Sequence, residues 1–89
     1  MKSLHENGIA HLDIKTENIL FKGNNIKFAD FGMSEFFNSE TEISNDFTKG
    51  TPFYRLIDIE ERKPYSVVQA DIYSLAVVLF AIYACLIPF

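Results

Sequence analysis

Residues 11–20 read HLDIKTENIL, and twelve positions beyond Asn18 lies the tripeptide Asp30-Phe31-Gly32. The first run places an Asp, a Lys and an Asn within six residues; the second returns a carboxylate just past the next apolar segment. Phosphoryl transfer asks for this set, because a loose and highly charged transition state must be neutralised while the attacking hydroxyl is oriented. A carboxylate beside the hydroxyl can take its proton. A Lys two positions on, along extended chain, faces the same way and can meet the moving phosphoryl group. An amide oxygen and a second carboxylate are hard oxygen ligands of the kind Mg²⁺ prefers. Asp13, Lys15, Asn18 and Asp30 supply these groups in that order. Taken singly, each run also fits a solvated polar loop, and Gly32 alone could simply end a strand.

The flanking chain sorts into short elements. Residues 2–7 form the tail of a helix, with Gly8 suited to the left-handed position that closes it. Residues 19–21 and 26–29 are two short strands joined by the turn-forming Lys22-Gly23-Asn24-Asn25, most simply a hairpin. Residues 33–50 are polar and lack a sustained period, which makes them a long loop, and long loops in compact domains are usually functional or disordered. Gly50-Thr51-Pro52-Phe53-Tyr54 is a structured turn. Ser66 followed by Gln69 fits a capping box opening an apolar helix towards Pro88.

Four motifs in a fixed order carry a resemblance. His11-x-Asp13-x-Lys15-x-x-Asn18, Asp30-Phe31-Gly32, Gly50-Thr51-Pro52-x-Tyr54 and Asp71-Ile72-Tyr73-Ser74-Leu75 resemble the C-terminal lobe of a eukaryotic protein kinase. At about 5% usage per specified position, the His-Asp-Lys-Asn pattern arises at roughly 1 in 10⁵ start points, so coincidence does not account for it beside three further motifs. The resemblance covers the whole chain, from the end of the family's helix E through helix F. It implies an α+β fold, mainly helical, with a small hairpin and a long activation-segment loop. The catalytic loop would be 11–18, the Asp-Phe-Gly element 30–32, the activation segment 30–58 and helix F about 67–87. The N-terminal lobe and the helices beyond F are not in the sequence. Against ~250 residues for a large single domain this is about a third of the body, so the 89-residue chain alone is expected to be inactive.

The same resemblance assigns roles. Asp13 would be the base receiving the substrate proton, and Lys15 would steady the γ-phosphate of ATP. Asn18 and Asp30 would hold the magnesium ions. Thr51 would bond to Asp13 and Lys15. His11 and Phe31 would stack internally, Gly32 would follow them, and Asp71 would brace the catalytic loop through backbone N–H groups. Lys15 with Gly50-Thr51 resembles the serine/threonine branch, so the implied activity is transfer of the ATP γ-phosphoryl group to a protein Ser or Thr hydroxyl.

The sequence departs from the pattern at several positions. Leu12 stands where the family usually carries the Arg that pairs with an activation-loop phosphate, so Thr41, Ser44 and Thr48 lack the usual electrostatic latch if modified. Leu56-Ile57-Asp58 replaces Ala-Pro-Glu, which suggests a weakly anchored substrate-facing loop. Tyr73 replaces a Trp, and Thr16 a common Pro. These changes keep open an inactive, pseudokinase-like module that acts by binding.

Bulk properties set the remaining expectations. The chain is 48% hydrophobic and 22% charged, which is a globular composition. At this size it buries only about 60–65% of its unfolded surface, and nine Phe with four Tyr load it with more apolar area than so small a body easily hides. A net charge of −4 and no Lys/Arg run exclude nucleic acid and anionic membrane surfaces as obvious partners. One Cys, Cys85, in an apolar stretch excludes a disulfide framework; it is a small core hydrophobe, and a reducing, cytoplasmic setting fits. No basic and apolar leader pattern occurs in residues 1–10. His11 is assigned to the core and His5 to the surface. Residues 72–89 carry no charge and sit at the lower length limit of a membrane span. A short membrane-associated protein is therefore a further alternative, although Asp71, Ser74 and two Tyr fit a buried kinase helix better.

Overall fold

The computed structural model describes residues 2–23 and 25–86, excepting the side chains of residues 2, 3, 21, 22, 85 and 86. The assignment of Cys85 to the core lies outside these. The elements run α1 (Lys2–Glu6), β1 (Ile9–Ala10), a 3-10 turn (Thr16–Asn18), β2 (Ile19–Lys22), β3 (Asn25–Phe28), β4 (Glu35–Phe36), β5 (Ile43–Ser44), α2 (Ile57–Glu60), β6 (Tyr65–Ser66) and α3 (Val67–Leu86). Helix and strand are mixed as expected of a partial kinase-like fold. Three two-stranded antiparallel sheets form, β1 with β4, β2 with β3, and β5 with β6.

Gly8 ends α1 because only a residue without a side chain sits comfortably there. Its φ is 71°, and a Cβ would lie 2.7 Å from the Phe37 carbonyl oxygen. That close approach lets Phe37 N–H donate to the Gly8 carbonyl at 2.8 Å, which extends the β1–β4 pairing by one rung. The β2–β3 hairpin pairs Ile19 with Phe28 and Lys22 with Asn25. It ends where Ala29 N–H donates to the Asn18 carbonyl at 2.8 Å, fixing the Asp30-Phe31-Gly32 element beside the 3-10 turn.

The polar segment 33–50, expected as a loop without regular structure, is laced at two points. β4 pairs with β1, and β5 pairs with β6 immediately before α3. Each strand is two residues long and exists only through its distant partner, so no local pattern announces it. α3 opens on Ser66, whose Oγ accepts from Gln69 N–H at 3.3 Å and donates to Glu42 Oε2 at 2.6 Å. Val67, Ala70, Asp71, Ser74 and Val78 bury one face of α3 at helical spacing, while Ile72, Leu79, Phe80 and Tyr83 lie exposed. Among the described residues α3 is the one helix long and apolar enough to cross a membrane; 28% of that stretch is buried inside the fold, by a polar as well as an apolar set of contacts.

The core gathers Ala10, Leu12, Ile59, Tyr65, Val67 and Ala70, with Met33, Phe37, Phe47 and Leu56 packed against it. Ile59 is 3% exposed and Leu56 caps the α2 turn. The weak anchoring expected for residues 56–58 is therefore corrected: Ile59, one position beyond the altered tripeptide, plugs this turn into the core. Arg55 also pairs with Glu60 across it.

Candidate active site

The catalytic-loop candidates are held from below by one carboxylate. Asp71 is fully buried near the start of α3. Its Oδ2 accepts from His11 N–H at 2.8 Å and its Oδ1 from Leu12 N–H at 2.8 Å. Two charge-assisted bonds to consecutive amides force a tight bend, and Leu12 adopts φ 65°, a left-handed conformation that costs an L-residue about 1–2 kcal/mol. His5 Nε2–H donates to the same Asp71 Oδ2 at 2.9 Å. The expectation of a surface His5 is thus corrected. Its side chain is 13% exposed, because the end of α1 is folded over the Asp71 carboxylate.

His11 occupies the core as expected, and its tautomer follows from its partners. Nδ1 accepts Asp13 N–H at 3.1 Å, so the ring proton resides on Nε2, which donates to the Ala29 carbonyl at 2.8 Å. The imidazole thereby bridges the catalytic loop to the residue preceding Asp30. Its ring lies 4.8 Å from Phe31 and 6.0 Å from Phe28. This tilted ring contact joins the catalytic-loop motif to the Asp30-Phe31-Gly32 motif.

Above this base, three side chains meet. Thr51 Oγ1–H donates to Asp13 Oδ1 at 2.7 Å, and Lys15 Nζ donates to Thr51 Oγ1 at 3.4 Å. Lys15 Nζ is also 3.8 Å from Asp13 Oδ2. Asp13 is 7% exposed, so its carboxylate is directed rather than freely rotating. Asn18, 5% exposed, donates from Nδ2 to the Asp13 carbonyl at 2.8 Å, which commits the nitrogen end of its amide. Asp30 is exposed with φ 56°, and its Oδ1 accepts Gly32 N–H at 3.2 Å. Among the described residues no group of three His, Cys, Asp or Glu forms a cation site. An amide oxygen and a carboxylate are hard oxygen donors of the kind Mg²⁺ takes, with phosphate and water oxygens as its further ligands.

His5 carries no motif signal. Tyr54, the last residue of the Gly50–Tyr54 motif, supports the site twice: its hydroxyl lies 3.3 Å from Thr16 Oγ1, and its carbonyl accepts from Ser74 Oγ at 2.6 Å. Ser74 thereby ties α3 to the turn that bears Thr51.

A family profile described as a protein kinase domain matches residues 1–89. The chain belongs to the protein kinase domain family. Among curated relatives it is similar to serine/threonine-protein kinase SIK1 of Rattus norvegicus, at 41% identity over 96% of this chain. It is also similar to CBL-interacting serine/threonine-protein kinase 2 of Arabidopsis thaliana, at 40% over 96%. A probable serine/threonine-protein kinase KIN1 homolog of Encephalitozoon cuniculi matches at 37% over 97%. The chain spans between 11% and 19% of the length of these three relatives.

Proposed function

We propose that these residues form the phosphotransfer half of a protein serine/threonine kinase, acting where the remaining body of the domain is also present. The observation that carries this reading is the Thr51 hydroxyl, which donates to Asp13 while accepting from Lys15. A purely structural loop has no reason to keep a carboxylate and an ammonium converged on one hydroxyl at the surface of a buried turn. Such a convergence positions a base and a cation together.

In this reading Asp13 accepts the proton of a substrate Ser or Thr hydroxyl, with Thr51 holding the carboxylate in its rotamer. Lys15 lies within reach of the same hydroxyl and stabilises charge on the moving phosphoryl group. Asn18, with its nitrogen committed to the Asp13 carbonyl, presents its amide oxygen, and Asp30 presents its carboxylate; together they would hold Mg²⁺. Bound MgATP would supply the transferable γ-phosphoryl group and neutralise its charge. The partners implied are ATP and a protein bearing Ser or Thr, in a cytoplasmic setting. Asp71, engaged with the catalytic loop, and Ser74, engaged with the turn that bears Thr51, favour a buried role for α3 over a membrane one.

The test is transfer of label from γ-labelled ATP with Mg²⁺ to Ser-, Thr- and Tyr-containing peptides by the longest native polypeptide carrying this segment. Label on Ser or Thr that Asp13→Asn abolishes is the expected result. Transfer that persists in Asp13→Asn, or no transfer and no Mg²⁺-dependent nucleotide binding, would refute it.

A further inference from the structure

The segment that carries Thr51 to Asp13 has to be held, and Leu12 stands where the kinase resemblance implies an Arg that grips a phosphate. Leu12 is 4% exposed and sits in an apolar cluster with Ala10, Ile59, Tyr65, Val67 and Ala70. A phosphate dianion drawn there would be stripped of water among hydrocarbon side chains with no cation to meet it, which is strongly unfavourable.

Two residues of the segment make other arrangements. Phe47 packs against this cluster, its ring 6.3 Å from that of Tyr65, whose hydroxyl donates to the Asp46 carbonyl at 2.6 Å. Lys49, 15% exposed, ties both ends of the segment together. Its Nζ donates to the Met33 carbonyl at 2.9 Å and lies 3.2 Å from Glu35 Oε1 and 4.0 Å from Asp46 Oδ2. Gly50 follows at φ 82°, packed so closely that a Cβ would come 2.8 Å from Arg55 Cβ, and Thr51 comes next. The local hydroxyls are already engaged: Thr48 Oγ1 donates to Asp46 Oδ1 at 2.5 Å, Ser44 Oγ accepts Asp46 N–H at 3.0 Å, and Thr41 bonds with Asn38. A phosphate on Thr48 would confront Asp46 and compete for the cation that binds Glu35.

We propose that Phe47 and Lys49 are positioning residues that hold the activation segment over Asp13 without phosphorylation. Phe47 acts by completing the apolar cluster around Leu12, and Lys49 by joining residues 33–35 to residues 46–49. This rests on the kinase reading only for its consequence, the placement of Thr51 on Asp13; the order of the segment is measurable without catalysis.

The experiment is amide hydrogen exchange on the full native protein, phosphatase-treated and untreated, with Phe47→Ala, Phe47→Leu, Lys49→Met and Lys49→Arg. Residues 43–54 are expected to be protected equally in both phosphorylation states. Phe47→Ala and Lys49→Met should each speed exchange there by roughly tenfold, with α3 unchanged, because a local opening rather than global unfolding is being measured. Phe47→Leu and Lys49→Arg should restore protection to within about threefold of the parent, since they keep the apolar bulk and the charge. Protection that appears only after phosphorylation, unchanged exchange in both disruptive variants, equal loss of protection in α3, or failure of both conservative variants to rescue would each overturn the proposal. None of these outcomes depends on phosphotransfer, so failure here and failure of the kinase reading remain separable.

Discussion

Removing the Asp71 carboxylate tests how much of the catalytic loop hangs from α3. In Asp71→Ala the buried His11 and Leu12 amides, each bonded at 2.8 Å, lose their acceptor. An orphaned buried donor costs about 1–3 kcal/mol, so the pair costs roughly 2–6 kcal/mol. His5, on the partly exposed side, can turn to water and adds little. Against this, Leu12 is freed from φ 65°, which returns about 1–2 kcal/mol. The net expectation is a loss of about 0–5 kcal/mol, centred on about 2.5, against the roughly 5–15 kcal/mol that holds a domain folded. Where Leu12 stays in its bend nothing is returned, and the full cost of roughly 2–6 kcal/mol applies. Asp71→Asn keeps one acceptor oxygen but turns an NH₂ towards an N–H donor, so it should lose about 1–3 kcal/mol. Urea unfolding gives the free energies, and exchange at the Leu12 amide reports the local effect. Asp71→Ala within about 0.5 kcal/mol of the parent, with Leu12 still protected, would show that the loop is held by packing alone and refute the reasoning.

Three further outcomes are expected. Thr51→Val removes the hydroxyl between Asp13 and Lys15 while keeping its shape; phosphotransfer should fall about 10²-fold, with Thr51→Ser close to the parent, read as kcat at saturating ATP. Leu12→Arg buries an unpaired charge in the apolar cluster and should cost about 3–5 kcal/mol in urea unfolding, whereas Leu12→Met should cost under about 1.5. The third concerns pH. Burial, with the nearby Asp46 and Glu35 charges adding to it, raises the Tyr65 pKa above its ordinary value. The protonated phenol therefore stabilises the fold fully below the ordinary tyrosine range, and this contribution is lost as pH rises through the raised value. Hydrogen bonds from the Thr48 hydroxyl and then its amide lower the Asp46 pKa, so that contribution is present above the ordinary aspartate range and lost as pH falls through the lowered value. Asp46 is well solvated, so the acid effect should be slight. Exchange in residues 43–50 should be level at neutral pH after correction for intrinsic rates, and should rise on the alkaline side in step with Tyr65 absorbance.

What the sequence made legible were features whose cause is local or whose residue pattern is rare. Ser66 and Gln69 mark the opening of α3 because a cap is a four-residue event, and Lys22 to Asn25 mark the hairpin because turn chemistry is equally short-ranged. The Asp13, Lys15 and Thr51 cluster was legible only through the resemblance to the kinase family, since nothing local brings residue 51 to residue 13. His5 was misplaced because its partner lies 66 residues away, and a histidine in a five-residue helix gives no sign of which way it faces. β4 and β5 were missed for the same reason: two-residue strands have no periodicity, and their partners Ile9–Ala10 and Tyr65–Ser66 lie in other parts of the chain. The weak anchoring expected from Leu56-Ile57-Asp58 left out the neighbouring Ile59, whose burial no motif signals because its partners in the core are distant in sequence.

The two-point lacing of the activation segment also governs what a protease would achieve. Residues 38–41 form an exposed turn, closed by the Asn38 side chain on the amides of Glu40 and Thr41, and they lie between β4 and β5. A single cut there would sever no strand pairing, each stub staying zipped within its own fragment. The two fragments would remain joined through Asp71 on the His11 and Leu12 amides, Thr51 on Asp13 and the shared core. A nicked preparation should co-elute as one particle under native conditions and split into two only in denaturant.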